Sequence, residues 1–368
     1  MKYLITGGGT GGHIYPALAI AKEIKNRHKD AEILYVGTEK GLESELVPKE
    51  GIDFKTIRVK GMPRRINKES LIAAKELLNG LNDSRKIIKE FNPDIVIGTG
   101  GYVCGPVVYM GKKKKIPALI HEQNAFPGIT NKILSRYVDK VAVTFDESKK
   151  YFKYPDRVIN TGNPIRKAIF EINVEDSYKV LGINKKKPFV LSFGGSGGQK
   201  KLNDGMLELI KSASINKDMQ ILHVTGKRLY EEFMEEIKNQ KIDLTSEIRV
   251  LPYLYEMPEA MNIASLIVTS AGAITLAEIS SIGIPSILIP KGYTAENHQE
   301  FNARSFEEKG ASIVILEKEL GKNILKDQVY KIINDNNKLN KMRKTSKKLG
   351  IRDAAEKIVD QIDLLLKK

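Results

Sequence analysis

The sequence has little of what stabilises small secreted proteins or holds metals. Its 368 residues include one cysteine, no tryptophan and 7% aromatic residues. A single cysteine, Cys104, excludes an internal disulfide framework. Residues 1–12 contain no long apolar segment of the kind a secretory signal has. We therefore expect a cytoplasmic chain, and its length suggests two domains.

Metal sites and nucleic-acid binding are also poorly supported. No zinc-ligand spacing occurs, and the histidines show no pairing at helical spacing; they are His13, His28, His121, His223 and His298. We expect neither a metal nor a cofactor. The net charge of +15, from 60 basic and 45 acidic residues, favours an anionic partner. No basic run is interleaved with aromatics, so phosphorylated substrates or an anionic membrane face are favoured over nucleic acid.

The longest apolar stretch lies at residues 266–290, where Glu278 is the one charged residue among 25. A carboxylate at the centre of a membrane helix costs roughly 2.5–3.5 kcal/mol, and two prolines and two glycines interrupt the stretch. The pattern predicts a buried strand (Leu266–Thr269), a glycine turn, a helix (Ile274–Ser281) and a second strand (Ile284–Ile289). Such a βαβ unit has parallel strands, with the turn at their carboxyl edge.

The start of this predicted helix suits a phosphate, because its backbone N–H groups and the positive end of its dipole are available there. Thr275 and Glu278 are three residues apart and share one helix face. A hydroxyl and a carboxylate beside a phosphate site can serve a nucleotide ribose. Alternatively, Glu278 is a solvated residue of an ordinary strand–helix–strand unit.

The N-terminus opens in the same way, with a strand (Lys2–Thr6), a glycine loop ending at His13 and a helical pattern from Pro16 to Arg27. Gly7, Gly9 and Gly12 satisfy GxGxxG, and Glu39 follows the second strand. A dinucleotide site is therefore an alternative, although GxGxxG alone is a weak signal.

A second glycine loop, residues 98–106, follows a predicted strand at Ile95–Gly98. It is either a tight turn or, beside the first loop at one sheet edge, part of an anion pocket rich in backbone donors. Further strands are expected at βα spacing, namely Phe54–Arg58, Ala118–His121, Val141–Thr144, Val158–Thr161, Phe189–Phe193, Gln220–Thr225, Ile248–Leu251 and Ser312–Leu316.

The chain then repeats its opening. The strand pattern stops near Gly162, and residues 194–199 (GGSGGQ) follow a new strand as residues 8–13 (GGTGGH) follow the first. This internal repeat predicts an α/β protein with two Rossmann-like, doubly wound domains. We place them at residues 1–163 and 164–351, followed by an amphipathic helix at 352–368.

In chain order, the sequence contains the motifs GGGTGGH, GTGGYVCGP, HEQNAFPGITNK, GNPIR, GGSGG and SAGAITLAE, the last followed by ENHQEFNA. Together these motifs resemble the MurG family over nearly the whole chain. The resemblance implies a GT-B fold with two domains facing across a cleft, and a C-terminal helix that packs back on the N-terminal domain. It implies inverting, metal-independent transfer of N-acetylglucosamine from UDP-GlcNAc to undecaprenyl-pyrophosphoryl-MurNAc-pentapeptide (lipid I), giving lipid II for peptidoglycan. Peripheral attachment to the cytoplasmic side of the cell membrane is implied too, and other cell-wall synthesis proteins are possible partners.

The resemblance also carries over site positions. Ser196 and Arg166 match positions near the donor diphosphate, Leu254 matches one whose backbone meets uracil, and Gln299 matches one that reads the sugar. The donor helix matches Ala273, Ile274, Thr275, Leu276, Ala277 and Glu278, with Glu278 on the ribose. Positions lining the sugar end match Thr10, Gly11, Gly12 and Asn124. The N-terminal glycine loops resemble the acceptor pyrophosphate site, with Gly9, Gly100, Gly101 and Tyr102.

The chain departs from the family pattern at three places. Ser270 stands where arginine is common, and the third glycine loop reads GGSGGQ instead of GGSQGA, which displaces its glutamine to Gln199. Lys112–Lys115 (Lys112, Lys113, Lys114 and Lys115) replace apolar or aromatic residues of the membrane patch. We expect these lysines, with Arg64, Arg65 and Lys68, to attract an anionic membrane face, and apolar residues of the Glu69–Glu90 helix to insert.

Two residues are candidates for the base that deprotonates the acceptor hydroxyl, His13 and Glu122. If Gln199 is the counterpart of His13 in the second loop, the turn itself does not require histidine, and this favours His13. Two other classes of function remain open. One is a dinucleotide oxidoreductase, and the other is a non-catalytic membrane subunit that binds a sugar nucleotide.

Overall fold

The computed structural model describes residues 1–61, 63, 68–195 and 197–367, which form two compact units. The first unit contains Met1–Ile165 and the residues from Ile351 onward, and the second contains Arg166–Gly350. The chain therefore passes from the first unit to the second after Ile165 and returns after Gly350.

Each unit is built on one parallel sheet. The described strands of the first unit are β1 (Lys2–Thr6), β2 (Glu32–Gly37), β3 (Asp53–Thr56), β4 (Ile95–Gly98), β5 (Ala118–Glu122), β6 (Lys140–Val143) and β7 (Val158–Asn160), in the order β3-β2-β1-β4-β5-β6-β7. Those of the second are β8 (Phe189–Phe193), β9 (Gln220–Val224), β10 (Ile248–Leu251), β11 (Leu266–Thr269), β12 (Ser286–Leu288) and β13 (Ser312–Val314), in the order β10-β9-β8-β11-β12-β13. The order reverses at β1 and at β8, and ligands of doubly wound sheets bind at such switch points.

Helices cover both faces of each sheet, which explains why the central strands are continuous apolar runs. In chain order the described helices are α1 (Gly11–Arg27), α2 (Glu43–Lys49), α3 (Lys68–Phe91), α4 (Cys104–Lys113), α5 (Ile129–Leu134), α6 (Val174–Leu181), α7 (Lys200–Asn216), α8 (Tyr230–Asn239), α9 (Met257–Ile263), α10 (Ala273–Ile282), α11 (His298–Glu308), α12 (Ile324–Ile333), α13 (Asn336–Leu349) and α14 (Ala354–Leu366).

The C-terminal helix α14 belongs to the first unit. Its apolar residues Ile358 and Ile362 join the core formed by α1 and the sheet. Arg27, in the last turn of α1, donates from Nη1 to Asp360 at 2.5 Å, and His28 Nε2 lies 2.9 Å from Asp363. A buried apolar seam with ion pairs at its rim thus fixes the last helix to the first.

The two α/β sheets confirm the predicted fold class, although several element bounds differ from expectation. Helix α1 begins at Gly11 instead of near Pro16, so His13 is its third residue. The apolar periodicity starts only at Ile14, so the sequence pattern does not indicate that Gly11 and Gly12 are helical. Strands β3 and β12 end earlier than predicted, at Thr56 and Leu288. The longest described helix, α3, carries charges along its length, and none of the helices in the described ranges has the length and hydropathy of a membrane span.

Candidate functional site

The two glycine loops of the first unit contact each other, because they follow the neighbouring strands β1 and β4. The Gly8 amide donates to the Gly100 carbonyl at 3.2 Å. A Cβ on Gly101, whose φ is +85°, would lie 2.3 Å from the Gly8 carbonyl oxygen. Only glycine allows this approach and this backbone conformation. The two loops therefore form one surface at the carboxyl edge of the sheet.

A buried carboxylate that the sequence did not reveal, that of Glu43, supports this surface. Glu43 opens α2 and accepts from the Thr38 amide at 3.0 Å, the Thr38 hydroxyl at 2.7 Å and the Gly9 amide at 3.2 Å. A Cβ on Gly8 would lie 2.5 Å from its Oε1. The Gly9 amide, expected to serve the acceptor pyrophosphate, is thus engaged by Glu43. The sequence carries no signal for this role, because the burial of Glu43 and its bonds to Gly9 and Thr38 arise only in the folded chain.

His13 lies where the two glycine loops meet. Its Nδ1 is 2.9 Å from the Gly8 carbonyl oxygen, and a Cβ on Gly100 would lie 3.1 Å from its Nε2. A carbonyl oxygen only accepts, so this bond assigns the proton of the neutral ring to Nδ1. Nε2 is consequently the basic nitrogen of the ring.

Glu122, the other candidate base, is buried at the end of β5 and holds the loop that follows it. Its Oε1 accepts from the Asn124 amide at 2.9 Å, and its Oε2 accepts from Asn131 Nδ2 at 2.8 Å and the Gly128 amide at 3.1 Å. Burial raises the pKa of the Glu122 carboxyl, and these donors oppose the increase. Both oxygens are occupied by the loop that carries Asn124.

His121, next to Glu122, is a neutral structural residue. Its Nε2 donates to the Gly162 carbonyl at 3.0 Å, and its Nδ1 accepts from Gln123 Nε2 at 3.0 Å. Burial lowers the pKa of His121 to about 4. The ring stays uncharged near neutral pH and fixes the chain just before it leaves the first unit.

Gln199 is not the structural counterpart of His13, so that expectation from the repeat is wrong. Four residues separate β1 from α1, whereas six separate β8 from α7. The two loops cannot match position by position because of this difference in length. Gln199 precedes α7 and is buried, and its Nε2 donates to the Ile289 carbonyl at 3.1 Å and to Glu317 at 2.9 Å. It holds strand ends together.

In the second unit the start of α10 carries the candidate ribose site. Gly272 precedes the helix without a side-chain cap, and the first turn has no acidic residue. Glu278 is buried, with Oε1 3.5 Å from Arg166 Nη2, and Thr275 is half-buried. Burial raises the pKa of the Glu278 carboxyl, and the Arg166 charge opposes the increase. The alternative in which Glu278 is merely solvated is therefore wrong.

Gln299 connects two strand ends beside this helix. Its Oε1 accepts from the Ala271 amide at 3.2 Å and from the Lys291 amide at 3.1 Å. Two backbone donors fix which end of the side-chain amide is the oxygen. The nitrogen end is thereby oriented, and within the described part of the chain no acceptor bonds to it.

Leu254 follows β10 and is buried. On either side of it lie Tyr253 and Tyr255, both exposed, whose rings meet edge-to-face with centroids 4.9 Å apart. These tyrosines were not predicted as site residues. Their signal was the alternation of aromatic and apolar residues directly after a strand.

The predicted site residues thus fall into two groups. The first unit holds Gly9, Thr10, Gly11, Gly12, His13, Gly100, Gly101, Tyr102, Glu122 and Asn124, and the second holds Arg166, Leu254, Ala273, Ile274, Thr275, Leu276, Ala277, Glu278 and Gln299. Ser196, and Arg64 and Arg65 of the predicted basic surface, lie outside the described residues. In the described ranges no three His, Cys, Asp or Glu side chains are grouped as metal ligands would be.

The four consecutive lysines after the second glycine loop are not equivalent. Lys112 is half-buried and donates to Asp139 at 2.7 Å, and the same carboxylate accepts from the Ala118 amide. Lys113, Lys114 and Lys115 are exposed at the end of α4. Lys112 therefore contributes to the fold, and the other three form the charged surface.

The family models show that this two-domain chain is a glycosyltransferase. Residues 3–143 match the glycosyltransferase family 28 N-terminal domain, and residues 189–358 match its C-terminal domain. A solved structure, MurG of Acinetobacter baumannii, superimposes with a TM-score of 0.80 at 26% identity, covering 99% of each chain.

Proteins of similar sequence identify the particular family within this class. The chain is 51% identical to a protein of Finegoldia magna, and 49% identical to one of Acetivibrio thermocellus, over 100% of this chain and 99% of each relative. Both are named UDP-N-acetylglucosamine–N-acetylmuramyl-(pentapeptide) pyrophosphoryl-undecaprenol N-acetylglucosamine transferase. The chain belongs to the MurG family, and it is an N-acetylglucosamine transferase with the GT-B fold.

Proposed function

We propose that this chain transfers N-acetylglucosamine from UDP-GlcNAc to the C4 hydroxyl of the MurNAc residue of lipid I, with inversion and without a metal ion. The relatives' printed names support the two substrates. The proposed roles of the residues rest on one observation. Each sheet has a functional side chain on the segment that follows the carboxyl end of a central strand. His13 lies beside the glycine loops of the first unit, and buried Glu278 is the sixth residue of α10, the helix that follows β11 in the second.

In this proposal the second unit binds the donor. Glu278 accepts hydrogen bonds from the ribose hydroxyls, and the first-turn amides of α10 face the nucleotide. The backbone at Leu254 meets uracil between the two exposed tyrosines. The oriented amide nitrogen of Gln299 donates to a sugar hydroxyl. Arg166, which pairs with Glu278 in the protein alone, is available to the diphosphate once the ribose engages that carboxylate.

The first unit binds the acceptor in the same proposal. The amides around Gly100 and Gly101, beside Tyr102, serve the pyrophosphate, whereas the Gly9 amide contributes to the loop through Glu43. Thr10, Gly11, Gly12 and Asn124 border the place where the sugars meet.

We assign the general base to His13. Its Nε2 is the basic nitrogen, and histidine has an ordinary pKa of about 6.5, so that the neutral ring can accept a proton near pH 7. Glu122 is the weaker candidate, because the loop donors already occupy both of its oxygens. As the hydroxyl attacks the anomeric carbon, His13 takes its proton, the bond to UDP breaks, and cations and N–H groups of the second unit stabilise the departing diphosphate.

Attachment to the cytoplasmic face of an anionic membrane is part of the proposal, since the acceptor is a lipid. The exposed lysines of α4 and apolar residues of α3 support it. Leu71 is 76% exposed and Leu78 is 68% exposed, one helical heptad apart. Apolar side chains exposed to this degree on a basic, amphipathic helix suit an interfacial position.

Turnover by the purified chain tests the proposal. The chain is incubated with radiolabelled UDP-GlcNAc and a short-chain lipid I analogue, and lipid-linked label is measured. We expect product from this chain alone; its absence would favour a non-catalytic subunit. A parallel titration with UDP and NADH separates the proposal from an oxidoreductase, which would bind NADH instead of UDP.

A further inference from the structure

Two cations that the sequence did not single out border the glycine loop of the second unit. Lys291 follows β12, is half-buried, and its Nζ donates to the Gly198 carbonyl at 2.9 Å. Arg228 lies on another side of the loop, where a Cβ on Gly197 would lie 3.4 Å from its Nη2. The lysine and the arginine come from different parts of the chain and converge on one loop.

The loop surface between these residues is open. Gly195 has a φ of +78°, and the nearest heavy atoms to a Cβ built on it would be Ser270 Oγ at 3.7 Å and Lys291 Nζ at 4.0 Å. A hydroxyl and an ammonium group therefore border this space, and apart from the adjoining loop residues no other described atom lies within 4 Å of the Cβ position. A loop of this kind before a helix presents backbone N–H groups to an anion.

The two cations around this space form no direct ion pair with a carboxylate of the described residues. Within the described residues neither Lys291 nor Arg228 has a carboxylate at ion-pair distance. Glu317 is the acidic residue that affects the pKa of Lys291. Its carboxylate accepts hydrogen bonds from two neutral donors, Gln199 Nε2 and the Gly292 amide. Burial lowers the pKa of Lys291; the Glu317 carboxylate opposes this decrease, and the Arg228 charge adds to it. A bound anion would relieve the effects of burial and of the Arg228 charge.

We propose that Lys291 and Arg228 bind the diphosphate of the nucleotide donor and stabilise its charge as it leaves. This inference rests on the proposed function and extends it, because the family resemblance placed only Arg166 and Ser196 near the diphosphate. Lys291 supplies a point charge to a non-bridging oxygen, and the guanidinium of Arg228 suits a bidentate contact with phosphate. The bond from Lys291 to the Gly198 carbonyl holds the ammonium at the loop until the nucleotide arrives.

Calorimetry with UDP and with uridine tests the inference. The variants are Lys291→Ala, Arg228→Ala and the charge-conserving Lys291→Arg, with Lys211→Ala as the matched control on an exposed face of α7. We expect each alanine variant at the loop to bind UDP about 10- to 100-fold more weakly than the wild-type chain. Uridine, which carries no phosphate, should bind all variants equally, and Lys291→Arg should keep most of the UDP affinity.

The outcomes separate this inference from the proposed function. Equal UDP affinity in wild type and in both alanine variants would overturn the role of the two cations and leave the proposed function standing. A parallel loss of uridine and UDP affinity would also overturn it, because it would indicate a structural role. A wild-type chain that binds uridine nucleotides no better than NADH would overturn the proposed function and this inference together.

Discussion

Glu278 and Arg166 are both proposed to bind the nucleotide donor, and in the protein alone they form an ion pair with each other. The carboxylate is buried in the middle of α10, while the guanidinium, 3.5 Å away, is largely exposed. A buried carboxylate is costly unless it is paired. The Arg166 charge therefore offsets part of the cost of burying the Glu278 carboxylate, and in the proposed complex ribose hydroxyls replace the arginine.

Glu278→Ala should weaken UDP binding by roughly 1.5–3 kcal/mol, the range for hydrogen bonds to charged groups. The fold should be retained, because the substitution also removes a carboxylate that is costly to bury. Calorimetric titration with UDP measures the effect, and Glu235→Ala, at an exposed position on α8, is the matched control. Unchanged UDP affinity in Glu278→Ala would remove the ribose role.

His13→Gln should lower turnover by ~10²–10⁴, the usual contribution of a general base. UDP affinity should remain unchanged, because His13 lies on the loops of the first unit. The amide nitrogen of glutamine can still donate to the Gly8 carbonyl, so the loop geometry is conserved. Turnover and UDP binding are measured on the same preparation.

Glu122→Gln separates the two candidate bases. We expect loss of thermal stability in this variant, because the amide replaces one of two oxygens that accept from the 124–131 loop. Near-normal turnover in His13→Gln together with abolished turnover in a stably folded Glu122→Gln would transfer the base to Glu122.

At the level of elements, the four lysines at the end of α4 differ in role, because one is structural and three are exposed. Lys112 is tied to Asp139, and this carboxylate also holds the start of β5. Lys113, Lys114 and Lys115 have no such role and extend from the helix end. The proposed membrane surface is accordingly smaller than the run of four lysines in the sequence suggested.

Replacing Lys113, Lys114 and Lys115 together by serine should weaken binding to vesicles that contain anionic lipid. Each basic residue near such a surface is worth about 1 kcal/mol, and the loss should be largest at low salt. Sedimentation with vesicles measures the effect, and Lys112→Ser is the control that should sediment as the wild type does. If the triple variant and the wild type bind equally at low salt, the lysines have no part in attachment.

The elements themselves were largely predictable, because most buried strands are short apolar runs, and several of them are bounded by glycine or proline. The glycine loops at β1 and β4 were expected to share a sheet edge, and they contact each other. The start of α1 was missed because glycines carry no periodic signal. Glu43 and Lys291 were missed because their roles depend on contacts between distant parts of the chain, which spacing does not encode. The comparison of Gln199 with His13 failed because the two loops differ in length.

At the scale of the whole molecule, two buried histidines make stability depend on pH. Burial lowers the pKa of His121 to about 4 and that of His223 to about 3. The unfolded chain binds these protons at about pH 6.5, whereas the folded chain does not. The contribution of these two neutral histidines to stability is therefore fully present above pH 6.5 and is lost as the pH falls toward 4.

His223→Gln should flatten this dependence, because it removes one buried titrating ring from the second unit. Between pH 6.5 and 4.5 the free energy of unfolding of the wild type should fall about 2 kcal/mol more than that of the variant. Urea unfolding followed by circular dichroism across this range provides the comparison. Parallel curves for the two proteins would show that His223 is not held neutral.

The anomeric configuration of the product tests the central claim most directly. The chain is supplied with UDP-GlcNAc, whose anomeric linkage is α, and a lipid I analogue, and the disaccharide product is analysed by nuclear magnetic resonance. A single direct displacement by the C4 hydroxyl, with His13 as base, predicts a β-1,4 linkage formed in the presence of a chelator as fast as in its absence. An α linkage, attachment at another hydroxyl, or loss of product on chelation would contradict the account.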